Sequence, residues 1–451
     1  MSDPDDLPVA VIGAGPVGLA AAAQLLQRGI TPLIIEAGPS VGTSVLGWGH
    51  VRIFSPWKYD IDAAARELLD RSGWTAPDPD VCPTGREVVE SYLAPLAALP
   101  EFVAHLRLEH RVRAVARLGL DKLNTAGRES APFVITVATP AGERQLLARA
   151  IIDASGTYGV PNPLGASGTA ARGEAEAAEH IFYGIADVLG RDRQRYGGRR
   201  VLVVGSGHSA FDVLIDLAEL ARAEPRTEIT WLVRRPFANA KYGGAERDAL
   251  PARGALGTRM RGLVDRGVVR QVVLRIADLR TAGGEVYLSD GSAEIGPFDE
   301  IVATTGSRPD LAPLRELRLR LDEILEAPPA LAPLIDPNVH SCGTVPPHGA
   351  RELAHPERDF YIVGMKSYGR APTFLMLTGY EQVRSVAAAL AGDTAGALSV
   401  ELALPQTGVC SGGPGGDCCD DAASDCGSPA SSCCGTSDAL IPRSALTGAA
   451  P

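Results

Sequence analysis

Three sets of residues in this sequence carry types and spacings that can do chemistry. Gly13-Ala14-Gly15-Pro16-Val17-Gly18 fits G-x-G-x-x-G, and Glu36 follows 23 residues after Gly13. In such a loop the first glycine allows a tight turn, the second lets a pyrophosphate approach the backbone, and the third lets helix and strand pack closely. A carboxylate at that distance can accept hydrogen bonds from a ribose diol. The second set is Gly205-Ser206-Gly207-His208-Ser209-Ala210, with alanine in the third glycine's place and Arg234 and Arg235 further on. Guanidinium groups there suit a ribose bearing an extra phosphate, which a carboxylate would repel. The third set is Cys418, Cys419, Cys426, Cys433 and Cys434, five of the eight cysteines, in the pattern C-C-x6-C-x6-C-C. Adjacent cysteines strain against a mutual disulfide, but thiolates on a flexible chain can converge on one soft ion. Zinc prefers C-x2-4-C, which is absent, so arsenite, mercury or copper(I) fits better.

The elements that must position these residues are legible around them. "LPVAVIGAGPVGLAAAAQLLQRGITPLIIEAG" reads as strand, glycine turn, helix and second strand ending at Glu36, with the helix N-terminus facing the phosphates. The grammar restarts at Arg199 with "RRVLVVGSGHSAFDVLIDLAELA", followed by the strand "EITWLVRRP". Between them lie a helical stretch near Gly85 to Leu99, a hairpin turning at Pro140 to Gly142, and the apolar strand "AIIDASGT". "FDEIVATTGSRPD" closes the second unit in the same way. "DFYIVGMKSYGRAPTFLMLTGYEQVRSVAAALAG" reads as strand, loop and helix, too short for a third domain. After Leu404 periodicity stops, and a Gly, Ser, Ala, Pro and Asp composition predicts disorder.

The fold class expected is therefore α/β, with two Rossmann-like dinucleotide-binding domains, one for FAD and one for NADPH, and a disordered Cys-rich C-terminal tail. The expected divisions are 1–165, the first part of the FAD domain; 166–305, the NADPH domain with its connecting segment; 306–400, the return to the FAD domain; and 401–451, the tail. Two dinucleotide sites on one chain imply an electron path in which NADPH gives a hydride to a flavin.

Composition limits the alternatives. The 451 residues are 45% hydrophobic and 22% charged, ordinary for a globular protein. A net charge of −11 argues against general nucleic-acid affinity and leaves small molecules as the substrate class. The acidic N-terminus lacks the basic residues of a secretory signal, and no apolar run is long enough to span a bilayer, so a cytoplasmic location is expected. The oligomeric state is open, a homodimer among the options.

At these residues the chain resembles the two-dinucleotide-binding-domain flavoproteins, which include thioredoxin reductases and the flavin-containing and N-hydroxylating monooxygenases, over roughly Leu7 to Gly392. With tail and body together it is similar to the flavin-binding monooxygenases of actinobacterial arsenic-resistance operons. The FAD contacts expected are Gly13, Gly15, Pro16, Gly18, Glu36, Ala37, Val112, Ser155, Gly156 and Gly364. Those expected for NADPH are Gly205, Gly207, His208, Ser209, Ala210, Arg234 and Arg235. Disulfide reductases of this class carry a close cysteine pair beside the flavin, whereas the body here has only Cys82 and Cys342. Monooxygenases carry F-x-G-x-x-x-H, and after Phe182-Tyr183-Gly184 this chain has Val188 in the histidine's place. Gly364 is followed by Met365 where relatives commonly have aspartate.

"GWGHVRIFSPWKY" falls where relatives line the flavin ring, which makes His50, Arg52 and Trp57 the catalytic candidates: Arg52 to stabilise negative charge and Trp57 to wall the pocket. A surface loop packed by its aromatics fits the same segment. "HSCGTVPPHGARELAH" offers His340, Cys342, His348 and His355, but its prolines and glycines favour an ordinary loop over a metal site. The leading function is an NADPH-dependent flavin monooxygenase acting on a soft nucleophile such as a trivalent arsenical or a sulfur compound. A reductase using the tail cysteines, and an FAD-binding redox sensor or metal-delivery protein, are the alternatives.

Overall fold

Short apolar runs without alternation build strands that are covered on both faces, and two parallel sheets of this kind organise the chain. The computed structural model describes residues 6–236, 242, 250–337, 345–371 and 374–402. The first sheet runs in the order β16 (Phe360–Ile362), β7 (Ala150–Asp153), β1 (Val9–Ile12), β2 (Pro32–Ile35), β3 (Leu106–Arg107). The second runs β11 (Arg270–Val273), β10 (Glu228–Val233), β9 (Arg200–Val204), β15 (Glu300–Ala303), β8 (Ile181–Tyr183). Each also has an antiparallel three-stranded sheet beside it in sequence: β4 (Arg111–Arg117), β5 (Phe133–Thr139) and β6 (Gly142–Ala148) for the first, and β12 (Asp278–Ala282), β13 (Glu285–Ser289) and β14 (Glu294–Phe298) for the second. The β5 to β6 hairpin falls where its turn signal placed it. The β12 to β14 meander was not anticipated; its strands are short, half exposed and rich in charge.

The main helices are α1 (Pro16–Gln27), α2 (Ala63–Arg71), α3 (His208–Ala223), α4 (Pro251–Asp265) and α5 (Met376–Leu390). α1 starts at a proline, whose missing N–H costs nothing in a first turn. α5 is buried along nearly its whole length, and its Tyr380, Val383, Val386 and Ala387 share a core with Val17, Ala20, Ala21 and Leu25 of α1. Strand β16 thus brings the late part of the chain back to complete the first sheet, pairing in parallel with β7.

The helical stretch expected near Gly85 to Leu99 is a helix with a wide π turn over Val89–Leu93. Pro95 stands just beyond that turn and has no N–H to give to the carbonyl four residues back. That carbonyl, of Ser91, instead accepts the indole N–H of Trp74 at 2.9 Å. Among the described residues no helix is long and apolar enough to cross a membrane.

Candidate active site and its two nucleotide cradles

The first glycine loop leaves β1 through Gly13, whose φ is +100°. A side chain on Gly13 would lie 2.8 Å from the Ala154 carbonyl oxygen, and one on Gly18 would overlap the Gly13 carbonyl oxygen. Gly15 is different: nothing lies within 4 Å of where its side chain would be. The outer glycines are required by packing, and the middle one opens onto space in front of the α1 N-terminus, where free N–H groups and the helix dipole favour an anion. Glu36 is held against this loop, accepting from Ala14 N at 2.8 Å and from Gly38 N at 2.7 Å. Each carboxylate oxygen still has a lone pair for a ribose hydroxyl. Ala37 follows directly, and Val112, on β4, packs on the core formed by Ile12 and Ile35.

Two further segments close the cradle. Ser155 and Gly156 follow β7, and Gly156, with φ +68°, also faces open space. Gly364 follows β16 with φ +66° and lies against Val17 in the first turn of α1. Between these segments Lys366 Nζ donates to Asp153 Oδ2 at 2.8 Å and to Ser155 Oγ at 3.0 Å.

The loop 47–60 runs beside this cradle and holds three of the seven buried side-chain polar atoms that lack a partner among the described residues: Trp48 Nε1, His50 Nε2 and Asp60 Oδ2. Groups buried without partners are rare in folded proteins, and three of them in one loop make it a candidate place to receive a ligand. Asp60 is 1% exposed. Its Oδ1 accepts from Ser55 Oγ at 2.7 Å and its backbone carbonyl accepts from Tyr380 Oη on α5 at 2.7 Å. Burial pushes its carboxyl up to about 7. Asp62, buried beside it, caps α2 and is pushed up to about 6 by the same desolvation.

The structure separates the three catalytic candidates. His50 is half buried with an unpartnered ring nitrogen. Trp57 is 4% exposed and packs into the core with Ala14 and Val41. Arg52 is largely exposed, with its guanidinium on the Cys82 carbonyl and 3.8 Å from Glu87.

The second glycine loop repeats the first with changes. Gly205 has φ +144°, and a side chain there would come to 2.5 Å from the Thr304 carbonyl oxygen. Gly207 faces open space, like Gly15. Ala210 is fully buried in the first turn of α3, after His208 and Ser209. Trp231 Nε1 donates to the Gly205 carbonyl at 2.7 Å and braces the loop from β10. Arg234 and Arg235 leave the end of β10 into solvent, with no ion pair among the described residues. The two halves meet at the loops: the rings of Phe54 and His208 lie 5.3 Å apart.

Sequence reasoning missed Phe54, Asp60, Asp153 and Lys366. The available signal was a lone lysine inside "FYIVGMKSY" and an acid ending "AIID". Cys418, Cys419, Cys426, Cys433 and Cys434 lie outside the described residues. Among the described residues no group of His, Cys, Asp or Glu is arranged to hold a metal ion. His348 and His355 sit in separate buried settings, against the carbonyls of Pro346 and Arg320.

Residues 10–332 match the family model described as pyridine nucleotide-disulphide oxidoreductase. The chain belongs to this pyridine nucleotide-disulphide oxidoreductase family. Among its relatives is a ferredoxin–NADP reductase of Salinispora arenicola, 30% identical over 325 residues, covering 70% of this chain and 79% of the relative. A ferredoxin–NADP reductase of Salinispora tropica is 29% identical over the same shares. Solved structures with this fold include the bacillithiol disulfide reductase of Bacillus cereus, with TM-score 0.61, 19% identity, and 86% and 99% of the two chains covered. A cadaverine monooxygenase of Erwinia amylovora bound to FAD has TM-score 0.59 and 15% identity, with 90% and 99% covered. Reductases and monooxygenases thus share this architecture. As a pyridine nucleotide-disulphide oxidoreductase family member the chain is an oxidoreductase that uses FAD and NADPH, and both cradles fit: open space before Gly15 and Gly207, and unpartnered polar groups beside the first.

Proposed function

We infer that this oxidoreductase is of flavin monooxygenase type, transferring one oxygen atom of dioxygen to a soft small-molecule nucleophile and the other to water with two electrons from NADPH. The observation that carries this reading is the makeup of the loop beside the FAD cradle. It presents buried polar atoms without partners, as a small-molecule site requires, and the body has only Cys82 and Cys342, far apart in sequence and without the spacing of an internal dithiol. Bound FAD would supply the hydride acceptor and, once reduced, the means to activate dioxygen.

This chain's residues do the rest. The α1 N-terminus and Glu36 hold the dinucleotide, Arg234 and Arg235 meet the 2′-phosphate of NADPH, and Phe54 against His208 closes the seam between the two loops. Asp60 keeps a proton up to about pH 7 inside the site. A trivalent arsenical is the substrate proposed, supported by the two vicinal cysteine pairs of the tail, whose thiolates suit a thiophilic ion.

A second reading, electron delivery to an external protein carrier, is favoured by the ferredoxin–NADP reductase relatives. The deciding experiment reduces the protein anaerobically with NADPH, admits oxygen with arsenite or a thiol present, and counts NADPH, oxygen and oxygenated product. One of each per turnover establishes oxygen transfer. Oxygen returned as hydrogen peroxide whatever the acceptor, with fast reduction of added ferredoxin, gives the carrier reading. Replacing Cys418, Cys419, Cys433 and Cys434 by serine should leave oxygen transfer to saturating substrate intact; its abolition would make the tail the electron acceptor.

A further inference from the structure

Asp153 and Lys366 form an ion pair at 2.8 Å with side chains only 2% and 3% exposed. Taking two charges out of water is costly, and such a pair is weak evidence for stability. Its place argues for another use. Asp153 precedes Ala154, whose carbonyl lies under Gly13, and Lys366 stands two residues after Gly364, which lies on Val17. All three segments of the FAD cradle meet at this pair.

The hydrogen bonds there leave one donor over. Asp153 Oδ1 accepts from Ser155 N at 3.1 Å and from Ser155 Oγ at 2.6 Å, and its Oδ2 takes Lys366. The ammonium spends a second hydrogen on Ser155 Oγ. It has three, and the third meets no acceptor among the described residues.

The backbone carrying Lys366 is fixed from the other side. Gln382 of α5 accepts Gly364 N at 2.7 Å and donates to Ser367 Oγ at 3.0 Å and to His348 Nε2 at 2.8 Å. Nδ1 of His348 donates to the Pro346 carbonyl at 3.0 Å. Burial lowers the His348 pKa, which keeps the ring neutral and its Nε2 able to accept.

We propose that Lys366 is a cofactor-holding residue whose remaining N–H serves an acceptor oxygen of FAD, in a turn where Gly364 is followed by Met365 and brings no carboxylate. The proposal rests on the FAD assignment of this cradle.

The test separates holding the cofactor from neutralising Asp153. Lys366→Met alone strands a buried carboxylate and can cost the fold, so the informative variant pairs it with Asp153→Asn. FAD affinity is read by fluorescence titration of protein freed of FAD, and folding by thermal melts. The double variant should melt close to the parent yet bind FAD more than about tenfold more weakly, the size of one lost hydrogen bond to a charged group. Asp153→Asn alone strands the buried ammonium in turn, so the control is Lys366→Arg, which keeps the charge and a donor and should recover part of what Lys366→Met loses. A double variant that binds FAD like the parent, or a Lys366→Arg that binds FAD no better than Lys366→Met, overturns the proposal. A parent protein that takes up no FAD at all would instead overturn the cofactor assignment.

Discussion

The two glycine loops share a local plan of strand, tight turn and helix, yet one is locked and the other left open. In the first, Glu36 is fastened to Ala14 and Gly38, and Lys366 and Gln382 brace the opposite wall from a late part of the chain. In the second, bracing comes from within the unit, through Trp231, and the charges that would meet the cofactor stand in solvent. A nucleotide held by buried, mutually supporting groups leaves slowly, whereas one held by exposed guanidinium groups exchanges readily and feels ionic strength. That difference is what the proposed division between a resident flavin on the first loop and a nicotinamide cosubstrate on the second requires.

The third glycine position breaks the comparison most sharply. Gly18→Ala places a methyl on the Gly13 carbonyl oxygen, which should cost about 3 kcal/mol or more and strip the flavin. Ala210→Gly, at the equivalent place in the second loop, should cost only about 1 kcal/mol and leave flavin content unchanged. Thermal melts and the flavin-to-protein absorbance ratio measure both, and equal effects would erase the distinction.

Asp60 gives the next largest effect, through pH. Its carboxyl is held up at about 7, so the folded protein keeps a proton that the unfolded chain releases near pH 4. The stabilisation is complete below that pH and is lost as pH rises through 7. Asp60→Asn should therefore be more stable than the parent at pH 8, by on the order of 3 kcal/mol, and little changed at pH 4. Melts that differ from the parent equally at both values would show that the carboxyl is not desolvated.

The smallest effect concerns the exposed arginines. Replacing Arg234 and Arg235 by glutamine should lower the preference for NADPH over NADH by about tenfold to a hundredfold, from one or two lost charge-assisted hydrogen bonds, with the parent's preference itself shrinking in high salt. The kcat/KM values for the two cofactors decide it, and an unchanged ratio would free these residues from any role in selecting the phosphate.

The glycine loops were legible because backbone geometry admits so few residue types there, as the packing at Gly13, Gly18 and Gly205 shows. Both parallel sheets followed from apolar runs that end in glycine. What sequence could not disclose is long-range: Lys366 finds Asp153 across 213 positions, and Tyr380 finds Asp60 across 320. No local spacing encodes such meetings. Trp57 shows the opposite difficulty, since an aromatic residue in a loop serves a pocket wall or a core equally well by pattern, and here it is packed among core residues.

The return of β16 has a consequence for how the chain is made. Every strand of the second parallel sheet lies between Ile181 and Ala303, so that sheet can close while synthesis continues. The first sheet waits for β16 and its covering helix until Leu390 has emerged. At bacterial and eukaryotic elongation rates that delay is roughly 4 to 17 seconds, during which β7 presents an unpaired edge and α1 an uncovered apolar face. The part begun first is finished last, and a nascent chain stalled between the two would display a completed NADPH-binding half beside a flavin cradle that still lacks a wall.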